Sequence, residues 1–323
     1  MLCVWIAHCS PMETFERAAK GGGRLLVACT QEAPLFLDSL AEIDTLAPNV
    51  EFFNIRETAG WSEHKDDPKF AKNLSAKMTA LIAEAALDIS PSNSITMKSD
   101  GRLIVLGKDE TAIELAKKIS GRLEPTVVLT TGSAVIPPNI SEVPIFSGEI
   151  SSASGHLGNF KLAVTGFAVA IPSSKEHLNF EAQSKKVELE CDLILDVRGE
   201  TPLFNAAEKR DGYQNPHPDN KMAVAMALVE LIEMIGEFEK PRYIDYDSTI
   251  CAHSASRIKG CTRCIDVCPT SAIKSNQDTI NFDPYVCAGC GNCASVCPTG
   301  AARYTLPSSD DLMFRLRTLL NSY

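Results

Sequence analysis

The chain has 323 residues, 45% hydrophobic and 22% charged, with a formal net charge of −10 at pH 7. That length supports two or three domains with cores of their own. The negative charge argues against nucleic-acid or anionic-membrane partners, which it would repel, and no apolar run approaches the ~18 residues of a membrane span.

The apolar start MLCVWIAHCS lacks the basic region and full apolar stretch of an export signal and reads as a buried first strand. KGGGR (20–24) lacks the spacing of a phosphate-binding loop and reads as a turn. RLLVACT (24–30) reads as a buried strand, PLFLDSLAEI (34–43) as a short helix opened by Pro34, and VEFFNI (50–55) as a second strand. EHKDD (63–67) reads as solvated surface. A long amphipathic helix follows, in which Phe70, Leu74, Met78, Leu81, Ile82 and Ala85 recur at helical spacing. After a loop at ISPSNS (89–94), RLIVLG (102–107), DETAIELAKKIS (109–120) and PTVVLTT (125–131) form a strand–helix–strand unit, which predicts a mainly parallel α/β layer. Residues 145–200 have β character, with Gly and Ser between the runs. AEKRDG (207–212) reads as solvated surface. Residues 220–238 read as a strong helix, with Asp219 or Asn220 as its cap. KPRYIDYD (240–247) leads into a cysteine-rich part, and a helical tail, SSDDLMFRLRTLLNSY, closes the chain.

Twelve cysteines stand at 3, 9, 29, 191, 251, 261, 264, 268, 287, 290, 293 and 297, eight of them within residues 251–297. With no export signal, CxxC spacing suits metal better than cross-linking, and the expected compartment is reducing and cytoplasmic. Set against itself at an offset of 29 residues, CTRCIDVCPTSAI (261–273) falls on CGNCASVCPTGAA (290–302). This repeat resembles a bacterial-type ferredoxin carrying two [4Fe–4S] clusters, in which each half offers C-x2-C-x2-C-x3-C-P and its last cysteine binds the other half's cluster. The second half is complete: Cys287, Cys290, Cys293 and Cys297–Pro298. The first has Cys261, Cys264 and Cys268–Pro269, but Ile258 stands where its leading cysteine belongs.

Three explanations are open for the missing ligand: Cys251 across a longer loop, a cysteine from elsewhere such as Cys191, or a three-iron cluster. Cys251 is the expected one, because a polar loop containing Gly260 folds back over a cluster edge at small cost. His253 as a nitrogen ligand is set against a solvated loop histidine, the preferred reading. The resemblance then implies one cluster on Cys251, Cys261, Cys264 and Cys297, and another on Cys287, Cys290, Cys293 and Cys268. Paired zinc sites would use two CxxC knuckles instead of three evenly spaced cysteines and a fourth before proline. A ferredoxin unit of about 60 residues has little core, so the clusters are expected to hold it folded. Such clusters pass single electrons, and nothing in this part supplies a base or nucleophile, so no catalytic residue is expected.

The rest of the chain resembles the A subunit of heterodisulfide reductase, the flavin and iron–sulfur component of an electron-bifurcating complex. HCSPMETF (8–15) is similar to that family's CSP…TF run, NIRETAGWSEH (54–64) to its NIRE…W…H run, GHLGNFKLAV (155–164) to its GNF-containing β segment, and KPRYIDYD (240–247) to the strand before its ferredoxin cysteines. The family's flavin-binding Gly-rich turn is reduced here to Gly107, followed by Lys108, Asp109 and Glu110. Two carboxylates at a helix start repel a pyrophosphate while stabilising the helix. Only about 50 residues separate this unit from the GNF segment, too few for a full flavin domain. FAD is therefore not expected. The family's cysteine after NIRE is Ala59 here, and Cys3, Cys9 and Cys29 read as packed small hydrophobes instead of ligands to a third cluster.

The expected fold class is α/β, a Rossmann-like parallel α/β scaffold with a β-rich segment and a C-terminal α+β two-cluster ferredoxin domain. The expected domains are 1–98, an α/β domain; 99–240, an α/β unit with a degenerate dinucleotide turn; 241–306, the ferredoxin domain; and 307–323, the tail. The expected cofactors are two [4Fe–4S] clusters, and the expected partner is a redox enzyme or another electron-transfer protein. The rivals are a flavin-dependent oxidoreductase of the heterodisulfide-reductase type, and a non-redox iron–sulfur assembly factor.

Overall fold

The computed structural model describes residues 3–5, 12–43, 49–60, 69–89, 93–130, 135–138, 142–181, 184–204, 210–254 and 260–323. The class is mixed α/β, as the alternation of runs predicts. The chain divides into two units, residues 1–91 with 307–323, and residues 92–306.

In the first unit, β1 (Cys3–Trp5), β2 (Arg24–Val27) and β3 (Asn49–Phe52) form a parallel sheet with β2 in the middle. Helices α1 (Met12–Lys20), α2 (Ala33–Ala41) and α3 (Phe70–Ala85) connect and follow these strands. Phe15 and Phe36 meet edge to face at 4.9 Å over Leu25 and Val27. The helical face expected in α3 is used: Leu74, Met78, Leu81 and Ile82 pack on Ala28, Ile55 and Ala59. Arg24 closes the end of that helix. Its guanidinium donates to the carbonyls of Ala85, Ala86 and Leu87 at 3.0, 3.0 and 2.6 Å, where a helix leaves its last carbonyls unsatisfied and favours positive charge. The C-terminal tail is the helix Ser309–Ser322, capped by Ser308 and packed against α3, with Arg315 on Glu84 at 3.0 Å.

The second unit opens with β4 (Ser94–Ser99), β5 (Arg102–Gly107), α4 (Glu110–Ile119) and β6 (Glu124–Leu129). A long meander follows: β7 (Ile145–His156), β8 (Asn159–Val169) and β9 (Ser184–Cys191). Then come β10 (Leu193–Asp196), β11 (Tyr213–Gln214), α5 (Lys221–Glu233) and β12 (Gly236–Pro241). Seven of these strands form one sheet in the order β11-β10-β5-β6-β7-β8-β9, parallel from β11 to β7 and antiparallel through the meander. Strand alternation sorts the core. Leu103, Val105, Val127, Leu129, Leu193 and Leu195 face α4 and α5. Ile104, Leu106, Val128 and Ile194 face the other way, onto Phe160, Leu162 and Val164 of β8 and onto Phe204 and Tyr213.

Two boundaries differ from the sequence expectations. The helix read over 220–238 begins as expected, with Asn220 accepting from the Ala223 amide at 3.1 Å, but ends at Glu233. Gly236 (φ +125°) turns the chain into β12, which pairs antiparallel with β4. Of the loop read over 89–94, residues 90–92 lie outside the described residues, and Ser94 already belongs to β4. This ribbon sits tightly on the β7–β8 turn. A Cβ on Gly158 (φ +82°) would stand 1.8 Å from the Lys98 carbonyl oxygen. Replacing Gly158 by alanine is expected to cost about 3 kcal/mol, from overpacking together with a left-handed backbone. A denaturant midpoint at its unsubstituted value would contradict this.

Candidate metal centre

The cysteine-rich part repeats itself in structure as in sequence. Strand β13 (Ile244–Tyr246), helix α6 (Arg263–Asp266) and strand β14 (Ile273–Asn276) form one half. Strand β15 (Thr279–Phe282), helix α7 (Asn292–Ser295) and strand β16 (Ala302–Tyr304) form the other. Each short helix begins within two residues of the middle cysteine of its repeat, Cys261 or Cys290. The halves interlock, since β13 pairs with β16 and β14 with β15. Their shared core is small: Ile244, Cys251, Ile273, Ile280, Cys293, Ala301 and Ala302 are buried, with Cys264, Cys268, Cys287 and Cys297 packed around them.

Cys268, Cys287, Cys290 and Cys293 line a single cavity, walled by Ile244, Ile273, Phe282 and Pro284. Burial pushes the Cys293 thiol up to about 11, and Cys287, Cys268 and Cys290 add to the shift as negative neighbours. A second group gathers Cys251, Cys261 and Cys264: burial pushes the Cys264 thiol up to about 11, with Cys251 and Cys261 adding their charge. Cys251 itself moves the other way. Burial raises its pKa, but hydrogen bonds from the Tyr246 hydroxyl and from Ser254 and His253 outweigh that. Cys297 behaves alike, through Ala302, Ala301 and Thr299. Crowded thiols of this kind resist ionisation on their own and ionise readily on a metal. Among the described residues no three His, Cys, Asp or Glu side chains could share one metal ion. A single zinc would draw four sulfurs to about 2.3 Å from one point; cysteines set around a cavity suit a polynuclear cluster better.

Hydrogen-bond donors surround the sulfurs in matched positions. Thr270 Oγ1 lies 3.7 Å from Cys268 Sγ, and Thr299 Oγ1 lies 3.8 Å from Cys297 Sγ. The Gly289 amide donates to Cys287 Sγ at 3.5 Å. The CPT triplet in both repeats was the signal for the two threonines; Tyr246 and Gly289 had none. Cys290 is the exposed cysteine of its group.

Several expected residues fall elsewhere. Ile258 lies outside the described residues. His253, read as a solvated loop histidine, is fully buried. Its Nδ1 is 3.0 Å from the Cys261 carbonyl oxygen, and its Nε2 is 3.2 Å from that of Gln277. Two carbonyls on either side of one ring fix it as a brace between the Cys261 segment and the β14–β15 hairpin. Cys191, one candidate for the eighth ligand, is buried in the core of the seven-stranded sheet beside Phe160 and Ile194, a core separate from that of the other cysteines. Burial, with Asp192 beside it, pushes its thiol up to about 12. Cys29 packs on the first unit's core; Cys9 and residues 63–67 lie outside the described residues, as does the side chain of Cys3.

The reading of 207–212 as solvated surface fails at Arg210, while 207–209 lie outside the described residues. Arg210 stacks over the Phe204 ring at 4.1 Å and donates to the carbonyls of Gly155 and Thr270 at 2.8 and 3.3 Å. It lines a cavity of about 180 Å³ with Lys240, His156, Asp211, Tyr285 and Cys287. Burial lowers the pKa of Lys240, opposed by Asp211, Cys287 and Asp283.

Gly107, read in the sequence as what remains of a dinucleotide-binding turn, ends β5, beside the carboxyl end of β10. A Cβ on Gly107 would meet that of Ala112 at 2.3 Å, so this glycine serves close strand–helix packing. Asp109 caps its own helix through the Thr111 amide at 2.9 Å, and Glu110 accepts from the Ile136 amide at 2.8 Å. Beside them Asp196 is fully buried, paired with Arg198 at 2.8 Å and accepting from the Tyr213 hydroxyl at 3.2 Å. Arg198 and Lys108 both reach Glu200, at 3.0 and 2.8 Å.

A family model described as a 4Fe-4S dicluster domain matches residues 257–301. That span holds seven of the cysteines and excludes Cys251. No curated protein matches the chain. The chain therefore carries a ferredoxin-type iron–sulfur domain, whose chemistry is electron transfer. No helix among the described residues is long and apolar enough to cross a membrane.

Proposed function

We propose that the chain is an electron-transfer subunit that relays single electrons through two [4Fe–4S] clusters to or from a partner redox enzyme. One cluster is held by Cys251, Cys261, Cys264 and Cys297, the other by Cys268, Cys287, Cys290 and Cys293, crossed as in bacterial-type ferredoxins. The observation that carries this reading is the gathering of Cys268 with Cys287, Cys290 and Cys293 around one cavity, since Cys268 comes from the other repeat. Cys251 completes the first cluster because it is buried next to Cys261 and Cys264 and its pKa is lowered by the Tyr246 hydroxyl. Bound clusters supply one-electron redox chemistry; the thiolates hold them, and Thr270, Thr299 and the Gly289 amide tune the sulfurs.

The Rossmann-like scaffold docks this relay on its partner instead of holding FAD. The Asp109 carboxylate occupies the place where a pyrophosphate would meet the amides of a helix start, and Glu110 next to it, bonded to the Ile136 amide, adds a second negative charge. Next to it the positive charge of Arg198 is already taken up by Asp196 and Glu200. Anaerobically prepared protein should contain about eight irons and as many sulfides per chain, and both clusters should accept an electron in a potentiometric titration followed by EPR. About seven irons with a three-iron signal on oxidation would remove Cys251 from the ligand set. Clusters that stay oxidised throughout would favour an assembly factor, and flavin released on denaturation would favour the flavin enzyme.

A further inference from the structure

We propose that Lys240 and Arg210 are counter-charges of the cluster on Cys268, Cys287, Cys290 and Cys293, and that they raise its midpoint potential. The inference rests on the two-cluster reading above. Both cations line the 180 Å³ cavity that Cys287 also lines. Each is anchored two residues from a ligand of that one cluster. Lys240 Nζ donates to the Tyr285 carbonyl at 2.8 Å, two residues before Cys287. Arg210 Nη2 donates to the Thr270 carbonyl at 3.3 Å, two residues after Cys268. The anchors are themselves held: Tyr285 stacks on His156 at 4.3 Å, and Thr270 is buried.

Neither cation makes an ion pair among the described residues, and Arg210 Nε is buried without a hydrogen-bond partner there. Desolvated positive charge without a close partner is costly, so a compensating negative charge belongs nearby. Asp211 and Cys287 line the cavity with them, and Asp283 acts on both cations from nearby. A four-iron cluster on four thiolates is an anion and gains one more negative charge on reduction. Fixed positive charge beside it favours the reduced form and so raises the potential. Neither residue belongs to the cysteine-rich repeat: Arg210 precedes β11 and Lys240 lies in β12. The α/β part thus sets the electron affinity of the cluster it adjoins.

The test is Lys240→Met and Arg210→Met in the full chain, each first assayed for iron, then titrated potentiometrically with EPR detection. One of the two midpoints is expected to fall in each variant while the other holds, with iron content unchanged. Lys240→Arg, which keeps the charge, should restore most of the shift. Two reducible clusters with unmoved midpoints, or with equal shifts of both, would overturn the inference and leave the relay standing. Iron lost in both variants would make the residues structural and overturn it as well. A midpoint in the unsubstituted protein that responds to inorganic phosphate, and stops responding in Arg210→Met, would assign the cations to an external oxyanion instead. Fewer than two reducible clusters in the unsubstituted protein would sink the relay reading and this inference together.

Discussion

Removing the iron with a chelator should unfold residues 244–304 and leave the seven-stranded sheet folded. The elements of that stretch are strands of three or four residues and helices of a single turn. Among the described residues of that stretch eight apolar side chains are buried, and two of them are cysteines, Cys251 and Cys293. Helices this short are far below the length at which they persist alone, and a lone two-stranded hairpin is marginal at best. Metal ligation in small metal-dependent domains contributes on the order of 10 kcal/mol to folding, more than this core supplies by burial. The sheet has its own core, in which Leu103, Val105, Leu193 and Leu195 are at most 1% exposed. Hydrogen exchange after chelation should therefore show protection lost in β13 to β16 and kept in β5 and β10. Protection unchanged in β13 to β16 would mean that the polypeptide folds that part unaided.

Asp196→Ala should be the most damaging change outside the cysteines, costing about 3–5 kcal/mol. The carboxylate is fully buried and accepts from Arg198 Nε and Nη2, both at 2.8 Å, from the Arg198 amide at 3.2 Å and from Tyr213. Alanine leaves Arg198, itself 8% exposed, with only Glu200 to balance its charge. Pairing Asp196→Leu with Arg198→Met should recover part of the loss, because removing both charges together leaves none stranded. Urea midpoints measure both variants, with iron content as the control. The exposed Lys161–Glu190 pair at 2.8 Å is the contrast: its removal should change stability by no more than about 1 kcal/mol. A loss of that size at Asp196 would show that the pocket relaxes to admit water to Arg198.

The parts legible in the sequence were those where a local pattern coincides with a local cause. The apolar run 102–107 is β5 to the residue, because a strand buried on both faces needs no polar alternation. The cysteine repeat carried the candidate ligands because cluster binding imposes spacing on the chain itself. The helix α1 was missed although its apolar residues Met12, Phe15, Ala18 and Ala19 stand at helical spacing, because the run is only nine residues long and mostly polar. The strand β4 was missed because its partner, β12, lies far along the chain, and the 220–238 helix ran long because Ile235 and Phe238 continue its apolar spacing past Gly236. Arg210 and Lys240 were invisible for a different reason. A charge in a polar run looks the same whether it meets water or a buried cavity, and the tertiary fold alone decides which.

His253 joins the two ends of the loop that separates Cys251 from the rest of its group. Its Nδ1 contact with the Cys261 carbonyl oxygen closes that loop at its base, whatever the number of residues between. The entropy of closing a flexible loop rises by only about 0.6 kcal/mol for each doubling of its length. Insertions and deletions between residues 254 and 260 should therefore change the urea midpoint and the iron content little.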